Sequence, residues 1–430
     1  MRYFQFILVI ILGLFISCMG LDKTVATIQG KKIHLSDIYQ VYDKTAFNAL
    51  APAKKTAFVR KYAVLKYFSS SDKQYLTGMD FNVDEEKNKF EHDLIIQKVE
   101  KYLFNDFHFS DSTLEFVGDA LNVDVYVKAL TVSHKFSFGQ ANERTRDEAY
   151  KRANMIYNRL FSEDLSFEEA MSIYGELDVS KIKGNDMGQI SFGFMPKLFN
   201  DLVWTSPSGK LIGPVETPIG YHVVIVDRKI PKFGNDKIEF DPEKIMNDLK
   251  LGRYNYQAEH FQHFIDELYK TYAVSIDQQS LYKAWDAVRK IDGVNTMSGI
   301  AVDQMVKANF GSLLGSVGYE KITLNWVIKI SGIFNFYNTA TINSGFSFEK
   351  IINDVIARYL LLKWYEDNTN LFPGVDLTIK QKTVNKIYAM FLDRKQELTP
   401  DLTRDVIMNR IMLENEIVIN STLFTEDAEK

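Results

Sequence analysis

The stretch that decides the fold of this chain is Gly209-Lys-Leu-Ile-Gly-Pro-Val-Glu-Thr-Pro-Ile-Gly-Tyr-His-Val-Val-Ile-Val226. Its second half is rich in β-branched residues, which predicts a strand over residues 221–228. Another alternating run predicts a strand over 124–132. Between the two lie helical patterns at 143–161, 166–175 and 196–203, with a glycine-rich loop at 184–194. Strands at both ends of a helical series predict one compact α+β domain over residues 124–232.

Two shorter motifs lie upstream of the opening stretch, in a fixed order. Gly184, Asp186, Met187 and Gly188 form the first, and Gly193-Phe-Met-Pro-Lys-Leu-Phe199 forms the second. Together with Gly209, Gly213-Pro214-Val215, Thr217, Gly220 and His222, they resemble the signature of the parvulin-type (PpiC-like) peptidyl-prolyl isomerases. The resemblance implies an antiparallel sheet with surrounding helices, and it implies proline isomerisation as the activity.

The resemblance also implies a set of site residues. His222, Thr217 and Asp178 would form the polar, catalytic part of the site, and Met187, Met195 and Phe199 would bind the proline ring. Met195 and Phe199 are four residues apart, so a helix would place them on one face. Rotation about a peptide C–N bond breaks no bond, although its barrier is about 18–20 kcal/mol. Such a site therefore requires no nucleophile, and we expect no cofactor and no metal.

Two departures from the family pattern separate two hypotheses. Parvulins have a second histidine on the strand beside His222, and here that position is Ala129. His134 lies five residues later, and an odd offset would direct it to the other face of the strand. The family's acidic residue aligns with Leu177, which leaves Asp178 one position late. The domain is therefore either an isomerase with a reduced polar site or a catalytically inactive groove that only binds peptides.

The N-terminus predicts export. A positively charged Arg2 precedes an apolar run from Phe4 to Ile16, which is shorter than the roughly 20 residues of a membrane span. Such a run is typical of a signal peptide. Ser17-Cys18 resembles a lipobox, with Phe15 in place of the usual leucine, so residues 1–18 are interpreted as a lipoprotein signal peptide and Cys18, the sole cysteine, as the lipidation site. The alternative is a soluble secreted protein cleaved near Gly20.

The remaining chain is mainly helical. Residues 24–34 predict a hairpin around Gly30, followed by a helix with Ser36 as its N-cap. We expect an N-terminal helical, chaperone-like domain (24–121), a linker with long helices (233–318), including one near 243–270, and a C-terminal helical domain (319–420). The architecture resembles SurA/PrsA-like foldases, in which a parvulin domain interrupts a helical body built from both ends of the chain.

A weak internal repeat offers a different arrangement. Lys31-Lys-Ile-His-Leu35 resembles Glu320-Lys-Ile-Thr-Leu324, and the helical patterns that follow each segment occur in the same order. The C-terminal half would then build its own copy of the N-terminal unit. The two arrangements stay open at the level of sequence.

Composition limits the partners. The chain is 46% apolar and 25% charged, which excludes broad disorder, and its formal net charge of −5 argues against a nucleic-acid binder. By resemblance, the partners are unfolded or nascent exported polypeptides, especially outer-membrane or surface proteins. We expect the protein to be held at a membrane by the lipid and to face the periplasm or the cell surface. The hypotheses are a membrane-anchored isomerase with chaperone activity, a holdase chaperone, and a structural subunit of an outer-membrane assembly.

Overall fold

The structure is a computed structural model, and it describes residues 22–69, 81–105, 108–139, 142–176, 186–233, 239–291, 313–334 and 341–425. Cys18 and Asp178 therefore lie outside the described residues, as does the signal-peptide segment. Within the described part of the chain, no helix has the length and apolar character needed to cross a membrane.

The helices and strands follow one another from the hairpin to the end of the four-stranded sheet. In chain order they are β1 (Thr24–Ile28), β2 (Lys31–His34), α1 (Leu35–Tyr39), α2 (Lys44–Asn48), α3 (Pro52–Phe68), α4 (Val83–Asn105), α5 (Asp111–Leu121), β3 (Val123–Val132), α6 (Arg146–Phe161), α7 (Phe167–Tyr174), β4 (Asp186–Ile190), α8 (Lys197–Thr205), β5 (Leu211–Thr217) and β6 (Gly220–Pro231).

The second part of the chain repeats a hairpin and adds helices. Its elements are α9 (Pro242–Lys250), α10 (Tyr256–Thr271), β7 (Val274–Ile276), α11 (Gln278–Val288), β8 (Leu313–Val317), β9 (Glu320–Thr323), α12 (Leu324–Ser331), α13 (Gly345–Asp367), α14 (Val375–Leu398), α15 (Arg404–Glu414), β10 (Ile417–Ile419) and α16 (Thr422–Thr425). The α+β class predicted from the sequence is confirmed, because helices predominate around three antiparallel sheets.

The described chain forms two compact units. The first combines the residues up to Ile95 with those from Tyr365 onward, and the second runs from Ile96 to Trp364. Residues 319–420, which the sequence groups as one C-terminal domain, are thus divided between the units. The first unit has a sheet in the order β10-β1-β2 and a core that includes Val25, Phe391 and Ile417.

The four-stranded sheet of the second unit has the order β4-β3-β6-β5. Strand β3 pairs antiparallel with β6, so that Ala129 lies opposite Val224 and Thr131 lies opposite His222. Alternate residues of these strands face opposite sides. One side packs on α5, α8 and α9, and the other side packs on α6 and α7.

The third sheet, β7-β8-β9, has the same pairing scheme as β10-β1-β2. Each hairpin has a register irregularity near its start, between Thr24 and Ala26 in one and between Leu313 and Gly315 in the other. The added strand follows a residue with positive φ in both sheets, which is Glu416 (50°) before β10 and Ala273 (49°) before β7.

Buried positions also correspond between the two hairpins. Val25, Ile33 and Ile38 are each at most 1% exposed, and their counterparts Leu314, Ile322 and Val327 are fully buried. A helix begins directly after each hairpin, at Leu35 and at Leu324.

The third strand of each sheet comes from outside its hairpin. Strand β10, near the C-terminus, pairs with the N-terminal β1, whereas β7 pairs with β8 of the second hairpin. Backbone hydrogen bonds close both sheets in the same way, from Asn420 N–H to the Val25 carbonyl (3.0 Å) and from Asp277 N–H to the Leu314 carbonyl (2.7 Å). The N-terminal hairpin is therefore completed only when the last part of the chain is present.

Three local expectations need correction. The segment 184–194, expected to be a glycine-rich loop, contains β4, and β5 was not anticipated. The expected helix near 243–270 is two helices, α9 and α10, because Gly252 turns the chain with φ of 80°. Ser36 lies inside α1 rather than capping it, and the Asp37 carboxylate accepts the His34 N–H at 2.8 Å instead.

The closure of the first sheet generates a prediction. We expect Ile417→Lys to destabilise residues 24–34 by roughly 3 kcal/mol or more, because Ile417 is 3% exposed and the change buries a charge in the core. The matched control is Val418→Lys at the neighbouring position, which is 62% exposed. Hydrogen exchange of the β1 and β2 amides measures both effects. Equal loss of protection in the two variants would contradict the conclusion that β10 completes the sheet of β1 and β2.

Candidate functional site

His222 is the centre of the candidate site. It lies in β6 with its side chain 1% exposed, between two threonine hydroxyls on neighbouring strands. The Thr131 hydroxyl of β3 is 3.0 Å from Nδ1, and the Thr217 hydroxyl of β5 is 2.6 Å from Nε2. Both ring nitrogens therefore have hydrogen-bond partners across three adjacent strands.

This environment keeps the imidazole uncharged. Burial lowers the pKa of His222 to about 4, because the cationic form would lose its hydration. A neutral imidazole donates from one nitrogen and accepts at the other, and a hydroxyl can do either. The Thr131–His222–Thr217 network is thus satisfied without a charge at neutral pH.

The wall beside His222 is apolar. The Phe199 ring meets the His222 ring edge-on, with centroids 5.6 Å apart. Phe199 is 1% exposed and Met195 is 5% exposed, and both belong to the same buried cluster. The Asn200 side-chain amide donates to the Met195 carbonyl, which fixes the start of α8 beside the sheet.

The turn between β5 and β6 sets the distance between Thr217 and His222. Gly220 has φ of 127°, and a Cβ there would lie 2.5 Å from the Val132 carbonyl oxygen, so only glycine fits. The Ile219 N–H donates to the Thr217 hydroxyl at 3.3 Å. The turn therefore holds Thr217 and His222 side by side against the end of β3.

Thr131 is the functional residue that sequence reasoning missed. The sequence resemblance assigns the second histidine to Ala129, but Ala129 lies opposite Val224, and the residue opposite His222 is Thr131. The structure shows that Thr131 supplies the hydrogen bond to Nδ1. The available signal was the two-residue period of the strand, since a polar residue at 131 faces the same side as position 129.

His134 does not belong to this network. It lies beyond the end of β3, and its ring is 6.1 Å from that of Tyr221, whose neighbours are on the other side of the sheet. Its Nδ1 accepts the Phe136 N–H at 3.2 Å. Burial, with a smaller contribution from Arg146, lowers the pKa of His134 to about 4.

Glu176 contacts the loop after β3. It accepts hydrogen bonds from the Ser133 N–H (3.0 Å) and hydroxyl (2.9 Å), and Arg144 lies 2.6 Å from its other oxygen. The carboxylate therefore fastens the loop after β3 to the end of α7. Met187 lies in β4, but its side chain is outside the described residues, so its expected contact with substrate stays a prediction.

The arrangement suits the binding of an apolar ring beside a neutral polar group. The hydrogen-bond partners of His222 in the structure are two threonine hydroxyls, and both threonines are buried. Among the residues that the structure describes, no group of three or more His, Cys, Asp or Glu side chains could hold a metal ion. The described side chains offer an apolar surface and hydrogen bonds.

A family model matches the middle of the chain. Residues 132–228 match the family model described as Rotamase, the PPIC-type PPIase domain. Foldase protein PrsA of Caldanaerobacter subterraneus subsp. tengcongensis is 27% identical over 224 residues, which cover 46% of this chain and 72% of that protein.

Two further relatives are matched over shorter lengths. Foldase protein PrsA 1 of Bacillus cereus is 30% identical over 143 residues, covering 31% of this chain and 49% of the relative. Chaperone SurA of Chromobacterium violaceum is 29% identical over 98 residues, covering 23% of this chain and 21% of the relative. The chain thus spans half or less of these two relatives.

Solved structures are similar at lower identity. PrsA from Bacillus cereus is 18% identical, with 57% of this chain and 90% of that chain covered and a TM-score of 0.27. A SurA-like chaperone of Campylobacter jejuni is 21% identical, with 58% and 98% covered and a TM-score of 0.21. Both TM-scores are low.

The buried imidazole predicts sensitivity to acid. Unfolded histidine binds a proton near pH 6.5, whereas folded His222 does so only near pH 4, so the unfolded state holds more protons between these values. We expect the β5–β6 pair to lose stability as the pH falls through this range, by roughly 3 kcal/mol at pH 4. Hydrogen exchange of β5 and β6 amides, corrected for intrinsic rates, measures the loss.

His222→Gln removes the titrating ring but keeps hydrogen-bonding groups, so its pH dependence should be smaller. His134→Gln is the comparison variant, because His134 has a similarly lowered pKa but lies outside the network. An equal pH dependence in wild type and His222→Gln would contradict this assignment.

Proposed function

We propose that the protein is a foldase for exported proteins. Residues 132–228 match the PPIC-type PPIase family model, and the chain is similar to PrsA and SurA. Its activity would be peptidyl-prolyl cis–trans isomerisation combined with chaperone activity. The single observation that carries the proposal is the buried, neutral His222 held between Thr131 and Thr217 beside Phe199.

This arrangement matches the physical demand of the reaction. The barrier of about 18–20 kcal/mol comes from amide resonance, and uncatalysed isomerisation takes tens to hundreds of seconds. A catalyst lowers the barrier by binding the twisted amide more tightly than either planar form. An apolar wall at Phe199 and Met195 would hold the proline ring, while the neutral network sets the local polarity without placing a charge in the site.

A holdase chaperone is the second candidate function. The observation that favours it is that β3 has no histidine beside His222: the sequence resemblance assigns the second histidine to Ala129, and the residue opposite His222 is Thr131. Met195 and Phe199 are also almost fully buried, as ordinary core residues would be. In this alternative the domain would bind unfolded segments without accelerating their isomerisation.

We place the protein at a membrane through a lipid on Cys18. The apolar run before Ser17-Cys18 and the absence of any other cysteine support this placement. Stable anchoring takes about two acyl chains, and one lipidated cysteine can carry more than one. Its clients would then be polypeptides emerging from export, including outer-membrane or surface proteins.

We also propose that the C-terminal half is a second copy of the helical module that lacks an inserted isomerase domain. The support is the shared pairing scheme of the two hairpin sheets, their corresponding buried positions and the positive φ before each added strand. The discontinuous helical body and the repeat are then compatible, because the N-terminal hairpin is completed by β10 at the end of the chain, whereas the second hairpin is completed by β7, which precedes it.

The isomerase proposal is tested with a proline-containing peptide. We expect the full chain to accelerate its isomerisation, and Met195→Ala to lower kcat/KM about tenfold through loss of apolar contact with the proline ring. The control is Leu198→Ala in the first turn of α8, three residues after Met195, because Leu198 is 57% exposed and its loss should leave the rate unchanged. Thr131→Val should also lower the rate, whereas Thr131→Ser, which keeps the hydroxyl, should not. If the full chain does not accelerate isomerisation but still suppresses the aggregation of unfolded proteins, the holdase function is supported instead.

The anchor is tested by Cys18→Ala in cells that export the protein. We expect the wild type to take up a fatty-acid label and to sediment with membranes, and the variant to lose both properties because no thiol is left to acylate. Immunoblots of membrane and soluble fractions provide the readout. Membrane association of the unlabelled variant at the wild-type level would overturn the lipid anchor.

A further inference from the structure

The start of helix α6 is bound by the C-terminal part of the second unit through Arg146. The guanidinium forms two hydrogen bonds with the Glu349 carboxylate of α13, at 2.7 and 2.6 Å, and a third with the Gln278 side chain at 2.9 Å. The Arg146 backbone N–H donates to the Tyr282 hydroxyl of α11 at 2.8 Å. Helices α11 and α13 therefore hold one residue of the isomerase domain from two sides.

The Arg146–Glu349 pair is well enclosed. Glu349 is 7% exposed, and the Arg146 guanidinium lies 5.7 Å from the centre of the Phe136 ring. Burial opposes the charge on Arg146, but its bonds to Glu349 outweigh this effect and raise its pKa above the ordinary value. Enclosed, two-pronged pairs of this kind fix geometry, and removing one partner leaves an uncompensated charge.

Arg146 extends this contact to the isomerase site. Its Nε lies 3.3 Å from the Glu216 carboxylate of β5, and Glu216 immediately precedes Thr217. Thr217 in turn is hydrogen-bonded to Nε2 of His222. A chain of direct contacts therefore runs from Glu349 through Arg146 and Glu216 to the network around His222.

A second contact reaches the other side of Thr217. The Phe138 N–H donates to the Pro218 carbonyl at 2.7 Å, and the Phe138 ring meets Phe346 of α13 edge-on at 5.2 Å. Next to Phe346, a Cβ on Gly345 would lie 2.4 Å from the Lys135 carbonyl oxygen, so the start of α13 fits closely against the loop after β3. Residues 216 and 218 are thus both supported by contacts that begin in α13.

We propose that the first turn of α13, residues 345–349, is a positioning element for the isomerase site. It acts through Arg146 and Phe138 on the two neighbours of Thr217, and so sets the Thr217–His222 hydrogen bond. The C-terminal half would thereby contribute to isomerisation without touching the substrate. This inference rests on the proposed isomerase function.

The test uses Glu349→Gln and Phe346→Ala in the full chain. Two measurements are made: kcat and KM for a proline peptide, and the ring resonances of His222 with selectively labelled histidine. We expect each variant to lower kcat about tenfold with little change in KM, since positioning errors of about 1 Å are costly while Met195 and Phe199 are untouched. Each should also shift the His222 ring signals.

The matched control is Glu143→Gln. Glu143 forms a two-pronged pair with Arg289 of the same interface, at 2.7 and 3.0 Å, but it is not joined to the neighbours of Thr217 in this way. We expect it to leave kcat and the His222 signals unchanged. If Glu349→Gln unfolds the interface, Phe346→Ala still tests the contact that runs through Phe138 to Pro218.

The outcomes separate this inference from the proposed function. An active wild type whose kcat and His222 signals are unaffected by both variants overturns the positioning role and leaves the isomerase intact. An inactive wild type overturns the isomerase proposal, yet His222 signals that shift in the two variants and not in Glu143→Gln still support the structural coupling. Equal shifts of the His222 signals in all three variants would overturn the positioning role of α13.

Discussion

The pairing of β3 with β6 is the constraint on which the candidate site depends. It places Thr131 opposite His222, and the β5–β6 turn brings Thr217 to the other side of the same ring. A shift of one residue in this register would turn His222 to the opposite face of the sheet. The buried apolar residues on both faces make such a shift costly, because Val223 and Val224, each fully buried, would exchange sides.

Burial explains why the network can work without a second imidazole. With both ring nitrogens satisfied by hydroxyls, His222 needs no charged partner, and its lowered pKa keeps it neutral. A threonine at 131 is smaller than a histidine at 129 would be, and it can donate or accept. The hydrogen bond to Nδ1 of His222 therefore comes from Thr131, the residue opposite it in β3.

Each hairpin sheet needs a third strand from outside its own hairpin. The hairpin that begins at Thr24 is completed by residues 417–419, and the hairpin that begins at Leu313 is completed by residues 274–276. Closing the long loop between β1 and β10 costs conformational entropy that the pairing must offset. The interface around Arg146 adds a second long-range dependence, since residues near 146 and 349 meet beside the isomerase site.

The sequence by itself determined the resemblance of residues 124–232 to PpiC-like domains, the hairpin around Gly30 and most helices, because these features depend on local periodicity and on motif residues close together in the chain. His222, Thr217 and Phe199 were found this way. It did not show Thr131, β4 or the break at Gly252. The partners of Arg146 and the pairing of β7 and β10 with the two hairpins were decided only by tertiary structure. These features depend on which strands pair and in which register, and pairing between residues hundreds of positions apart leaves no periodic signal in either segment.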